Sequence, residues 1–427
     1  MKICHVTNCI PGYHYHVGGG ERSTYVFCKI LSKNGHEISV LATMPDKGMP
    51  DKGTPKESFE FFGLPRIEDY VPKFISLYIE AIKHYALQYD PIAYHSAKNI
   101  INKLKPDILH FNSVHFLTHS LISIAKKMRI PTVLSIYDYW LFCPLSTLFD
   151  YQEKICRLFN GTWCTKCLPK KFVPVQKLLL GYRKTIIDYY LNKIDRFLVF
   201  SNSSASILRD YGIDRSRISI IPIVNYEKIN FPPDRQMEPN TILFVGWIQP
   251  RKGLHVLLKA MPKILDSIPD AKLYVIGNKV KFGAEYEKLI SNLIDNLNLK
   301  DRVFLHTGLL PRNVLLDYFY RANVVVICEQ WENMSPLILT EMMSFEKPIV
   351  ASNIGGFPEF IKEGYSGYLA KTTDPEDFAE KIIKILKDRT RAVEMGKNAA
   401  KVASEMFSEE KIYNGLNEIY ESLNRRD

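Results

Sequence analysis

Short runs of β-branched and aromatic residues alternate with amphipathic helical stretches along nearly the whole chain, twice over. No other feature constrains the fold as tightly. Residues 3–7 read as a strand and 20–33 as a helix with Tyr25, Val26, Ile30 and Leu31 on one face. Gly35-His36 then turns the chain into a strand at 37–43, completing a βαβ unit. Further strands are expected at 108–111, 132–136, 197–200 and 218–221, with long amphipathic segments at 73–104 and 173–192. The second series runs strand 241–245, helix 253–266, strand 272–276, helix 284–296, strand 303–305, helix 312–321, strand 323–327, helix 337–345, strand 348–352 and helix 375–387. Such alternation implies parallel sheets covered by helices on both faces.

Between the two series, Asn225-Tyr226-Glu227-Lys228 leads to Pro232-Pro233-Asp234 and Pro239-Asn240, a polar, proline-rich seam. The expected class is therefore α/β, with two doubly wound domains at 1–228 and 236–405 facing across a cleft. A last helix is expected at 408–424, in a C-terminal segment 406–427; its destination is not read from the sequence, packing back on the first domain being one option. Ligands of such sheets bind beyond the carboxyl ends of the strands, so loops there are the first places to search.

Charge divides unevenly along the 427 residues. The net charge is +10, yet residues 1–225 hold 29 Lys and Arg against 18 Asp and Glu, while the remainder holds 27 against 28. The excess gathers around Lys154, Arg157, Lys166, Lys170, Lys171, Lys177, Arg183 and Lys184. It points to an anionic partner for the first half: a membrane surface, a lipid phosphate or nucleic acid. No run approaches the ~18 apolar residues of a spanning helix, and the N-terminus enters a strand pattern without a signal-peptide core. The expectation is a cytoplasmic protein, peripheral on the inner face of an anionic membrane.

Three segments carry chemistry. Gly18-Gly19-Gly20-Glu21 opens the first long helix, where glycine lets a backbone approach a ligand and the helix start favours negative charge. The loop before it is too long for a dinucleotide fingerprint. At the matching place in the second half, Gly246-Trp247-Ile248-Gln249-Pro250-Arg251-Lys252-Gly253 joins strand to helix and offers two cations for a diphosphate. The third segment runs from Glu329 to Glu341. Ser335 suits a helix N-cap and Pro336 the first helical position, leaving amides from Leu337 onward free for an anion. Glu341, about one turn in, is placed to accept from vicinal hydroxyls; Glu332 precedes the helix, and Gly355-Gly356-Phe357-Pro358-Glu359 follows the next strand.

The ordered set Gly18-Gly19-x-Glu21, Gly246 with Lys252-Gly253, Glu332/Glu341 and Gly355-Gly356-x-Pro358-Glu359 resembles the retaining glycosyltransferases of family 4, over essentially the whole chain. The resemblance implies the GT-B architecture of two Rossmann-like domains and a nucleoside-diphosphate sugar held mainly by the second. Lys252, helped by Arg251, would neutralise the diphosphate as the leaving group gains charge. Glu341 would bind ribose, Glu332 or Asn333 the transferred sugar, and Gly18 and Gly19 the donor phosphates from the first domain. It further implies retention of configuration, no metal cofactor, and a glycan or lipid-linked acceptor on the first domain.

The chain departs from the family pattern in three places. Trp247 stands where arginine is usual, and Glu332 and Glu341 are nine rather than eight apart, which puts Asn333 in the usual slot of the first glutamate. Tyr137 stands where a histidine is common. Glu21, His115, Tyr137 and Asp138 are the acceptor or cleft candidates. In a first-domain insert, 143–167, Cys143, Cys156, Cys164 and Cys167 match the ligand count of a structural zinc site, but only Cys164 and Cys167 have knuckle spacing, and two disulfides or an inert loop are the alternatives. Two rival readings remain: a sugar-nucleotide-binding scaffold without turnover, and a zinc-containing nucleic-acid-binding protein. The latter leaves Glu332 and Glu341 unexplained, so nucleic acid is not an expected partner.

Overall fold

A computed structural model describes residues 1–15, 17–49, 59–83, 87–168, 173–222, 229, 238–279, 283–308, 310–334 and 337–425. The chain forms two compact units. One comprises Met1–Tyr151, Cys156–Val224 and Glu409–Asp427; the other comprises Gln152–Ile155 and Asn225–Ser408.

The first unit is built on β1 (Lys2–Val6), α1 (Gly19–Lys33), β2 (Glu37–Thr43), β3 (Glu60–Leu64), α2 (Lys73–Ile82), α3 (Pro91–Leu104), β4 (Ile108–Phe111), α4 (Ile122–Met128), β5 (Thr132–Ser135), α5 (Val173–Leu191), β6 (Arg196–Val199), α6 (Asn202–Tyr211) and β7 (Ile218–Ile220). Its seven strands pair in the order β3-β2-β1-β4-β5-β6-β7, all parallel, with Ile3 opposite both Ile38 and Ile108. Helix on both faces explains why β4 and β5 are buried at every position.

Three local expectations change. The stretch 73–104 is two helices, because Asp90 accepts from the amides of Ile92 and Ala93 as an N-cap and Pro91 takes the first helical position. Lys83, buried just after α2, pairs with Glu68 and Asp90 and locks that break into the unit. Second, the sheet gains an edge strand, β3, whose short apolar run is interrupted by Gly63. Third, the connections after β4 and β6 contain the short helices α4 and α6.

The second unit contains β8 (Thr241–Val245), α7 (Leu254–Ser267), β9 (Lys272–Gly277), α8 (Ala284–Asn296), β10 (Val303–Thr307), α9 (Arg312–Arg321), β11 (Val324–Ile327), α10 (Leu337–Ser344), β12 (Ile349–Ser352), α11 (Phe357–Phe360), β13 (Tyr368–Ala370), α12 (Pro375–Lys387) and α13 (Arg389–Met406). Six parallel strands pair as β10-β9-β8-β11-β12-β13. Alternate residues of β11 feed two separate cores: Val324 and Val326 belong to the one that contains Leu257 and Phe378, Val325 and Ile327 to the one that contains Phe319 and Met343. That two-sided burial makes the strands read as unbroken apolar runs.

The last helix, α14 (Glu409–Asn424), belongs to the first unit. Ile412, Leu416, Ile419, Tyr420 and Leu423 form its buried stripe at helical spacing. The Tyr420 hydroxyl lies 2.6 Å from His110 Nδ1 on β4, and His110 Nε2 lies 2.7 Å from Ser135 Oγ on β5. Lys33 at the end of α1 pairs with Glu409.

Candidate functional site

In the second unit the strand order reverses between β8 and β11, so the loops leaving their carboxyl ends border the crevice where doubly wound sheets bind ligands. The loop after β8 carries Gly246, Trp247, Arg251 and Lys252. A 3-10 turn at Pro250–Lys252 ends in Gly253, which caps α7 with φ +72°. The loop after β11 carries Glu329, Trp331, Glu332 and Asn333. The two are joined directly, since Gln330 N donates to Arg251 O at 2.8 Å.

Glycine makes this junction close enough. A Cβ on Gly253 would stand 1.8 Å from Cys328 O, and its positive φ already disfavours other residues. The loop after β12 seats itself the same way. Gly355 has φ +58°, a Cβ there would reach 2.5 Å from Asn333 O, and Gly356 N donates to that oxygen at 2.9 Å. Three loops are thereby interlocked through backbone.

Side chains complete the arrangement. Lys252 Nζ is ion-paired with Glu329 Oε1. Glu329 Oε2 accepts from Trp331 Nε1 at 2.5 Å and from Asn333 Nδ2 at 2.8 Å. The Arg251 guanidinium lies 4.4 Å from the Trp331 ring centre, a stacked cation–π contact. Trp247 is 49% exposed. Glu332 and Asn333 are half-buried in the same loop, and Leu337 opens α10 with Glu341 half-buried further along it. Ser335 and Pro336 lie outside the described residues.

The first unit has a comparable crevice between β1 and β4. Gly18 is the N-cap of α1, and its amide donates to Glu21 Oε2 at 3.1 Å, so Glu21 bends back to cap its own helix. The Tyr137 ring packs on the same helix start: a Cβ on Gly20 would meet it at 2.8 Å. Gly19 is exposed beside them. A small pocket at the ends of β4 and β5 is lined by Asn112, His115, His119, Tyr137, Asp138 and Trp140, among others. Asn8 ties its rim, with Nδ2 2.9 Å from His115 Nδ1 and Oδ1 accepting from Phe116 N. Tyr137 OH donates to Asn112 Oδ1 at 3.3 Å, and Asp138 Oδ1 accepts from Trp140 N. Burial pulls the His115 pKa down to about 4, with the Glu21 carboxylate opposing the shift, so the ring is neutral near pH 7. Burial likewise holds the Tyr137 hydroxyl protonated.

Cys143, Cys156, Cys164 and Cys167 are free thiols. They share one neighbourhood: burial first, then the other three thiols, raises the Cys164 pKa to about 12. Among the described residues, however, no three His, Cys, Asp or Glu side chains form a group that could hold a metal ion. The Cys164 thiol points to a backbone carbonyl instead, that of Phe159 at 3.4 Å.

Glu329 and Trp331 received no role from sequence, nor did Asn8 and Asn112. For Glu329 a signal existed, since a carboxylate directly follows the buried strand at the switch point. For the two asparagines nothing short of the fold brings positions 8, 112 and 137 together.

Two parallel sheets of seven and six strands, each with its crevice at a switch point, define the GT-B class. The structure aligns with sucrose-phosphate synthase from Thermosynechococcus elongatus at TM-score 0.71 and 20% identity, over 99% of this chain and 98% of that one. It also aligns with an Anabaena protein solved with UDP-glucose, at TM-score 0.66 and 15% identity, over 99% and 100%. The model of glycosyl transferases group 1 matches residues 225–402, and that of glycosyltransferase family 4 matches residues 17–223. An uncharacterized glycosyltransferase of Methanocaldococcus jannaschii is 30% identical over 81% of this chain and 91% of its own. N-acetyl-α-D-glucosaminyl L-malate synthase of Bacillus anthracis is 27% identical over 100% and 99%. Other relatives, such as spore coat protein SA of Bacillus subtilis, match over about half their length (48%, at 30% identity). The chain belongs to the family 4 glycosyltransferases.

Proposed function

We propose that the protein transfers a sugar from a nucleoside diphosphate to a glycan or lipid-linked acceptor, with retention of anomeric configuration. The observation that carries the donor half is the convergence of Arg251, Lys252, Glu332 and Asn333 on the crevice between β8 and β11, which gives a diphosphate its cations and a sugar its polar contacts. In the neighbouring structures an Anabaena protein holds UDP-glucose, and TarM of S. aureus holds UDP with α-GlcNAc-glycerol; both support UDP-linked hexoses as first probes.

Lys252 and Arg251 would stabilise negative charge developing on the departing diphosphate. Glu341 would hold the ribose. In this reading the two cations take the charge-neutralising task that a metal ion would otherwise perform. The pocket around His115 and Tyr137 would receive the acceptor, with neutral hydrogen-bonding groups suited to hydroxyls. Mass spectrometry of products from a nucleotide-sugar panel with a membrane extract tests the reading. Slow donor hydrolysis by the wild type, lost in Glu341→Ala, supports it; no UDP binding and no release from any donor refutes it.

The reading includes a peripheral contact with an anionic membrane. No helix among the described residues is long and apolar enough to cross a bilayer. On α5, Val175, Leu178, Tyr182 and Tyr189 are exposed along one side, and Phe74 and Tyr78 are exposed one turn apart on α2. Lys193 caps the stripe, with its ammonium 3.5 Å from the Tyr189 ring centre. Aromatic side chains interleaved with lysine suit a headgroup layer. Co-sedimentation with anionic vesicles at low salt is expected, and a Leu178→Asp, Tyr182→Asp variant should lose it while keeping donor hydrolysis. If the wild type stays in the supernatant, the membrane contact is wrong.

A further inference from the structure

A lysine meant for a diphosphate is paired here with a carboxylate that has only 2% side-chain exposure, while Lys252 itself has 17%. A buried carboxylate beside an anion site weakens binding unless it does something else. Glu329 is satisfied on both oxygens: Lys252 on one, Trp331 Nε1 and Asn333 Nδ2 on the other. Those three donors come from the two loops that border the crevice, and Arg251 joins the same cluster by stacking on Trp331.

We propose that Glu329 is the positioning residue of the donor site. It fixes the ammonium of Lys252 and the amide of Asn333 in one frame, so that diphosphate and sugar meet pre-set partners. An ammonium has three N–H donors, so Lys252 can keep one on Glu329 and direct the others at phosphate oxygens without any proton transfer. Held this way, the lysine loses little freedom when charge builds on the leaving group, and that saving falls on the transition state more than on ground-state binding. The inference rests on the donor reading above.

The test uses Glu329→Gln, which keeps the size and an acceptor oxygen but removes the charge that anchors Lys252. Release of UDP from UDP-glucose, or from whichever donor of the panel turns over fastest, is measured with wild type, Glu329→Gln, Lys252→Ala and the double variant. We expect kcat to fall roughly 100-fold in Glu329→Gln, with donor KM changed less than about threefold. Thermal midpoints should stay together, which a merely structural role would not allow. On the Lys252→Ala background the substitution should cost less than about twofold further, since it acts through the lysine. Glu329→Asp should recover part of kcat. A Glu329→Gln enzyme with more than a third of wild-type kcat, or a loss that persists undiminished without Lys252, overturns the proposal. Either result with an active wild type leaves the donor reading standing; a wild type that neither binds UDP nor releases it removes both.

Discussion

At the residue scale, buried neutral histidines give the first unit a defined acid limit. Burial lowers the pKa of His5 and His119 to about 3 and that of His110 well below its ordinary value. The unfolded chain would protonate them near pH 6.5 while the fold does not, so stability is full above that pH and falls as pH drops towards the folded values. Each histidine should cost about 1.4 kcal/mol per pH unit below 6.5. Urea midpoints of the protein between pH 7.5 and 5 should therefore decline, and His119→Gln should flatten the decline; a pH-independent midpoint would exclude this origin. Sequence could name Arg251, Lys252, Glu332 and Asn333 because each stands in a motif segment. Glu329 announced itself only as a carboxylate after a buried strand; its role depends on Lys252, 77 positions away in another loop, as well as on Trp331 and Asn333 beside it.

At the element scale, the site depends on helix starts placed by glycine. Gly253 ends one strand-to-helix loop with φ +72° and all but touches the carbonyl of Cys328. Gly253→Ala should destabilise the second unit by about 3 kcal/mol or more, combining backbone strain with a steric overlap that only loop displacement relieves. Denaturant unfolding followed at Trp331 would show it, and a loss under about 1 kcal/mol would mean that the loops separate easily. Most strands were legible because parallel strands buried on both faces are continuous apolar runs. The break at Asp90-Pro91 was present as a cap-and-proline signal inside a long amphipathic stretch. The stretch 60–64 gave too little pattern: five residues at a sheet edge, one of them glycine.

At the scale of the whole molecule, the seam near 225–240 separates two series of elements, but it does not separate two independent pieces of chain. Glu409–Asp427 belongs to the first unit, with Tyr420 on His110 and Gly415 against Ile221. A chain ending at residue 408 should expose the first-unit surface covered by Leu416, Ile419 and Leu423, and should aggregate or bind a hydrophobic dye. Supplying residues 409–427 as a separate peptide should reverse this. If the truncated chain instead unfolds with an unchanged midpoint, α14 contributes nothing to that unit. Periodicity predicted this helix; its partners depend on the tertiary fold.

The same discontinuity sets an order on synthesis. Residues 1–224 are synthesised first, yet the surface that waits for Tyr420 stays uncovered until Glu409–Asp427 is added, after the whole of Asn225–Ser408. The usual order, in which the amino-terminal domain matures first, is thereby inverted. The second unit has its whole sequence while the first is still unfinished, and the arrival of Glu409–Asp427 is the event that seals it. A chain lacking Glu409–Asp427 would carry a folded second unit joined to a protease-sensitive amino-terminal one.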